Sequence, residues 1–134
     1  MDVETAIRLA DTVLRARLSR TEGGPDPRWH AIIAVGAFLD SDPDRVWSFI
    51  LEWGRNDDGD VRGAIGTCLL EHLLERHFDS FFERVVVAAE ADANFADTVA
   101  TCWKFGQATE LEKSARFDAF IATVRARRSE GGHQ

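Results

Sequence analysis

Asp42-Pro43-Asp44-Arg45 opens the stretch on which the rest of the chain turns, and it runs through Trp53-Gly54, Asp57-Asp58-Gly59-Asp60 and Val61-Arg62 to Arg76. An aspartate followed by proline is a helix start, because the proline sits where no backbone N–H is needed and its φ already suits a helix. The apolar residues that follow, Val46, Phe49, Ile50 and Trp53, recur at i, i+3, i+4 and i+7 and leave Arg45, Ser48, Glu52 and Arg55 on the other side. Gly54 closes this helix, and Asp60 is expected to cap the next. That second helix carries one stripe of Val61, Ala64, Ile65, Cys68, Leu69 and Leu73, and a second apolar patch of Leu70 and Leu74 beside Gly63 and Gly66. A helix apolar on two faces is packed between neighbours, and its glycines permit close backbone approach.

Outward from this hairpin, the same periodicity predicts helices over residues 2–19, 26–39, 94–105 and 109–127, and another from Asp79 with Phe81, Phe82, Val85, Val86 and Ala89 inward. Asp26-Pro27 repeats the cap-plus-proline device, Asp79 is expected to cap, and Asn94 with Asp97 and Thr109 with Glu112 read as capping boxes. Gly23-Gly24-Pro25 breaks the chain. There is no Tyr and no alternating apolar run of useful length, so the expected class is all-α, with about seven helices stacked as antiparallel hairpins in one domain over residues 1–128. Residues 129–134 have nothing to bury and are expected to be a disordered tail. At 134 residues, 45% hydrophobic and 29% charged, one core is expected. No run of about 18 apolar residues and no signal-peptide pattern is read, which predicts a cytoplasmic protein with no membrane partner.

Asp26-Pro27-Arg28, Asp60-Val61-Arg62 and Asn94-Phe95-Ala96 are spaced 34 residues apart, and Thr67-Cys68-Leu69 returns as Thr101-Cys102-Trp103. With an acidic turn, an Asp-x-Arg start and small residues in the inner helix, the chain resembles the HEAT-repeat family and its armadillo-like relatives. The resemblance implies a short right-handed superhelix of hairpins, and a ladder of Asp26, Arg28, Asp60 and Arg62 tying neighbouring repeats together. The third unit departs from the pattern at Asn94 and Ala96.

Chemistry is harder to find. Cys68 and His72 stand one helical turn apart with Glu75 beside them, a weak candidate for a metal or acid–base site. The ordinary alternative is a core histidine hydrogen-bonded to a carboxylate such as Glu75. Asn56-Asp57-Asp58-Gly59-Asp60 fails as a calcium loop, since aligning Gly59 puts Gly54 and Ile65 at ligand positions. No cofactor is implied. Of four tryptophans, Trp29, Trp53 and Trp103 are expected in the core, whereas Trp47 lies on a helix flank and is the candidate exposed anchor.

The net charge of −7 is uneven. Residues 40–60 hold seven acidic and two basic side chains, and residues 71–97 again seven and two. Asp57, Asp58, Asp60, Glu90 and Asp92 come from turns of one type, which a repeat stack lines up along an edge. Such an edge repels phosphate and attracts basic surfaces. The expectation is therefore a non-enzymatic protein-binding module, a scaffold, adaptor or toxin-neutralising immunity-type protein, whose partner has a basic surface; homo-oligomerisation is left open. The alternatives are an enzyme centred on His72, Cys68 and Glu75, and nucleic-acid binding through basic residues of the two terminal helices.

Overall fold

The structure, a computed structural model, describes residues 1–16 and 26–131. Among these there are helices and turns and no strand: α1 (Val3–Arg15), α2 (Pro27–Gly36), α3 (Pro43–Trp53), α4 (Gly59–Ile65), a π turn (Gly66–Leu70), α5 (Glu71–Ala91), α6 (Ala93–Ala100), a 3₁₀ turn (Gly106–Thr109) and α7 (Leu111–Gly131). The predicted loop around residues 20–25 lies outside the described residues, as does the end of the tail, 132–134. Residues 129–131 continue α7 rather than being a tail.

Short acidic side chains begin these helices, although not always those expected. Asp2 accepts the Thr5 N–H at 2.8 Å and Asp26 the Arg28 N–H at 2.9 Å. Asp42 makes no such bond, and Pro43 alone sets the start of α3. The cap of α4 is Asp58, extended at φ −79°, ψ 115°, which accepts the Asp60 N–H at 2.9 Å; Asp60 is already inside the first turn. In the same way Asp92, not Asn94, caps α6 through the Phe95 N–H at 2.9 Å. Asn94 instead reaches the Arg55 carbonyl and Asp57 Oδ1, both at 3.2 Å. Thr109 belongs to the 3₁₀ turn and donates to the Gly106 carbonyl, so it does not box α7.

α5 is two helices in line. His77, at φ −137° and ψ 42°, breaks it and leaves backbone groups on both sides without helical partners. The Gln107 side chain fills both roles, donating from Nε2 to the Arg76 carbonyl at 2.8 Å and accepting the Phe78 N–H on Oε1 at 3.0 Å. Asp79 is therefore not needed as a cap. Gln107→Ala is expected to lower stability by about 1–3 kcal/mol, since it strands a donor and an acceptor at a helix break; urea denaturation at constant m-value checks this.

The helices lie in two rows. In the outer row, Arg45 with Glu4, Arg15 with Glu52 (3.1 Å) and the Trp53 indole with Asp11 (2.8 Å) join α1 to α3. Arg84 with Asp44 (2.9 Å) joins α3 to the second half of α5, and Lys113 with Asp79 (3.4 Å) and Arg116 with Glu83 (3.5 Å) join that half to α7. The inner row is α2, then α4 with the π turn and the first half of α5, then α6. The largest fully buried side chains, Phe49, Phe78 and Phe95 among them, fill the space between the rows.

The inner row is closest at Gly66. A Cβ there would lie 2.0 Å from Thr101 Oγ1 and 2.7 Å from the Thr98 carbonyl, so α6 is packed directly on backbone. Gly63, in contrast, has nothing within 4 Å of its missing Cβ, and the close approach read for both glycines belongs to Gly66 alone. The π turn that starts at Gly66 carries one extra residue and rotates the stripe that follows it. Leu69, Leu70, Leu73 and Leu74 are all buried, as expected of a helix packed on two faces.

Candidate functional site

What an inner row leaves uncovered is its outward face. α2 buries Ile32, Val35 and Leu39 but leaves Trp29 47% and Ile33 49% exposed. Both stand on one wall of a groove of about 570 Å³ whose other wall is Thr67, Cys68, His72 and Arg76. The His72 ring stacks on Phe105 at 5.9 Å and 15°. Its Nδ1 is 2.8 Å from Glu75 Oε1. The stretch after α6 adds Trp103, 74% exposed, and Phe105, 43% exposed.

Three of the four tryptophan assignments therefore reverse, and Trp53, 7% exposed, lies in the core as expected. Trp47 is only 9% exposed; its ring meets Phe95 edge-on at 5.9 Å and Phe81 at 6.1 Å. α3 has outer helices on both sides, so its flank is an interface rather than a surface. One edge of Trp47 contributes to a second groove of about 510 Å³ between α3 and α5, with Leu51, Val87 and Ala88. Trp29 and Trp103, expected inside, are outside. For Trp29 the reason is that, among the described residues, no further helix covers that side of α2. For Trp103 it is that α6 ends at Ala100, which takes the residue off the helical stripe.

The stretch carrying Trp103 is tied to α5. The Trp103 N–H donates to Glu71 Oε2 at 2.7 Å, and Gly106, at φ 50°, presses on Glu75, whose carbonyl would lie 2.8 Å from a Cβ there. Glycine is required on both counts. Burial pushes the Glu71 carboxyl up, against the Trp103 N–H and the His72 ring, which favour its ionised form. The folded chain then keeps this proton to a higher pH than the unfolded chain does, so stability falls as pH rises from the ordinary value of 4.5 through the folded one. In Glu71→Gln, whose amide oxygen still accepts the Trp103 N–H, that slope is expected to vanish and neutral-pH stability to equal or exceed wild type. Urea midpoints across mildly acidic to neutral pH check it.

The His72, Cys68 and Glu75 cluster does not close into a metal centre: among the described residues no three His, Cys, Asp or Glu side chains come together as ligands. Burial raises the Cys68 thiol above its ordinary range and Cys102 further; Cys102 Sγ donates to the Gly66 carbonyl at 3.4 Å. Neither cysteine is poised as a nucleophile.

The acidic turns do come together. Asn94 bonds Asp57 from across the gap, which places the α3–α4 and α5–α6 turns side by side, with Asp57, Asp58, Asp60 and Glu90 exposed. Asp58 and Asp92 double as helix caps. Beneath them, Arg28 lies 3.3 Å from Asp26 and 3.6 Å from Asp58, and Arg62 binds the carbonyls of Asn56 (2.8 Å) and Asp57 (2.9 Å) and approaches Asp97 at 3.9 Å. The rungs thus run from Arg28 to Asp58 and from Arg62 to Asp97. Asp60, assigned to the ladder from the sequence, bonds neither arginine; its charge only adds to the field at Arg28.

Among the described residues, the basic terminal helices pack on different neighbours. α1 packs on α2 and α3, whereas α7 packs on α6 and the 106–109 turn. Arg15, Lys113 and Arg116 are all paired with carboxylates. No helix among the described residues is long and apolar enough to cross a membrane.

No family model matches this chain, and neither a curated protein nor a solved structure does.

Proposed function

We infer that the protein is a non-enzymatic binding module of HEAT-like helical hairpins, working in the cytoplasm, that holds a partner protein with a basic surface. The observation that carries this reading is the pairing of two surfaces. Half-exposed Trp29 and Ile33 stand directly beside the acidic turns, since Arg28, next to Trp29 in the chain, is ringed by Asp26, Asp58 and the charge of Asp60. Acidic edges of this kind steer a basic partner and set its register, while aromatic anchors supply the affinity. Trp29 takes the anchoring role given above to Trp47. Asp57, Asp60 and Glu90 are the carboxylates that steer without capping a helix, since Asp58 and Asp92 also hold helix starts; Asp57 in addition accepts the Asn94 amide.

The test compares wild type with an Asp57→Asn/Asp60→Asn/Glu90→Gln variant as bait. A captured protein is then purified and titrated calorimetrically at low and high salt. The expected result is binding about tenfold weaker to the variant, and wild-type binding that weakens with salt. Equal affinity for both baits at both salts would remove the acidic edge from the reading.

A further inference from the structure

The groove between α2 and the helix that runs from α4 into α5 has unlike ends. At one end Arg28 is paired with Asp26 (3.3 Å) and Asp58 (3.6 Å), and the charge of Asp60 adds to the field there. At the other, Arg76 (2.9 Å) and His77 (3.2 Å) share the single carboxylate of Asp40. The first end is the more negative of the two, because the remaining carboxylate near the second, Glu75, is bonded to His72. Between them the walls are apolar or weakly polar: Trp29 and Ile33 on one side, Cys68 and His72 on the other.

Length and chemistry narrow the occupant. α2 is 10 residues long, about 15 Å at 1.5 Å per residue, which matches about three turns of a second helix laid alongside it. The described surface has no strand edge to extend, so an extended peptide would find no backbone ladder there; an all-helical groove recognises an apolar helix face instead. We propose that this groove binds one amphipathic helix of the partner, about three turns long. Its i, i+3/i+4 and i+7 apolar residues seat between Trp29, Ile33, Cys68 and His72, and a Lys or Arg at one end lies over Asp58 and Asp60. The proposal rests on the binding-module reading and names the element of the partner that is bound.

The experiment selects a displayed library of random peptides, about 14 residues long so as to exceed three turns, against the whole immobilised chain. Selected peptides are synthesised with a fluorophore and titrated by anisotropy, and their contacts are mapped by amide chemical shifts. The expected peptides carry the i, i+3/i+4, i+7 apolar spacing and a basic end. Ile33→Asp is expected to weaken them about tenfold or more, with an unchanged thermal midpoint because Ile33 is half exposed. Asp58→Asn/Asp60→Asn, which keeps a capping side chain at position 58, is expected to weaken them several-fold and flatten the salt dependence. Trp29→Gln serves as a second groove variant. Recovery of no peptide, of acidic peptides, or of peptides that shift the α3–α5 groove instead overturns the proposal. A natural partner that needs the acidic edge yet binds Ile33→Asp as tightly as wild type removes the groove while leaving the module standing. Loss of both responses removes both.

Discussion

Phe95→Ala is expected to destabilise the protein by about 3–5 kcal/mol, the range for truncating a fully buried phenylalanine whose surroundings relax only in part. Phe95 has no solvent exposure. Its ring meets the Trp47 indole edge-on at 5.9 Å and lies so close to Gly54 that a Cβ on that glycine would be 2.9 Å from two ring carbons. It therefore carries the contact between α6 and α3, alongside Thr98, whose buried hydroxyl donates to the Gly54 carbonyl at 2.7 Å. Rigid helices on either side cannot both close the gap, so a cavity remains. The measurement is urea unfolding, with Trp103→Ala as control. Trp103 is 74% exposed and is expected to change stability by less than about 0.5 kcal/mol. A small effect at Phe95 together with a large one at Trp103 would mean that the row order is wrong, since the sequence pattern alone places both residues inside.

The all-helical class and the approximate starts of most helices were legible because they rest on signals with a local cause. Aspartate before proline, and apolar residues at the helical period, act within one or two turns of chain. Where the reading slipped, two candidates competed over a few residues. Asp58 and Asp60 flank a glycine, and Asp92 and Asn94 flank an alanine, so either member of each pair could begin a helix. The earlier one does in both cases, and the Asp-x-Arg alignment that put Asp60 in the ladder was two residues out. The π turn left no sequence mark of its own. The exposed face was illegible for a different reason. Whether Trp29 or Trp103 meets solvent depends on which helices pack against α2 among the described residues and on where α6 stops, and neither can be read from helical periodicity. Trp47 failed in the opposite direction, since a flank position on an outer helix becomes buried once another outer helix lies beside it. Gln107 was missed because a side chain that clips a break 30 residues away has no local signature.

The acidic residues were found from composition and turn spacing, and they are where the turns put them, but two of them hold helix starts as well as contribute charge. A charge-removing variant that includes Asp58 or Asp92 must keep a capping side chain, or a loss of binding will report a frayed helix. Asparagine satisfies that requirement and alanine does not.

Gly66→Val is expected to cost about 3 kcal/mol, at the upper end for overpacking a close-packed interior. The Cβ alone would stand 2.0 Å from Thr101 Oγ1 and 2.7 Å from the Thr98 carbonyl. Thr101 can turn its hydroxyl away only by giving up its 2.7 Å bond to that same carbonyl, and the carbonyl, being backbone, cannot move unless α6 moves with it. The Cys102 thiol, which donates to the Gly66 carbonyl at 3.4 Å, would be displaced too. Against this stands a gain, since a glycine inside a helix is less favourable than alanine by about 1 kcal/mol. Gly66→Ala therefore separates the terms: if α6 were free to shift, alanine would be neutral or stabilising, whereas a rigid inner row makes it destabilising by about 1–2 kcal/mol despite the better helix former. Because the Trp103 stretch follows directly from α6 and is anchored to Glu71, a shift of α6 in either variant should also alter the environment of that exposed indole. Tryptophan fluorescence under native conditions, compared with the same variants carrying Trp103→Phe, reads this. Alanine with wild-type stability and an unchanged indole signal would show that the inner row is not closely packed at Gly66.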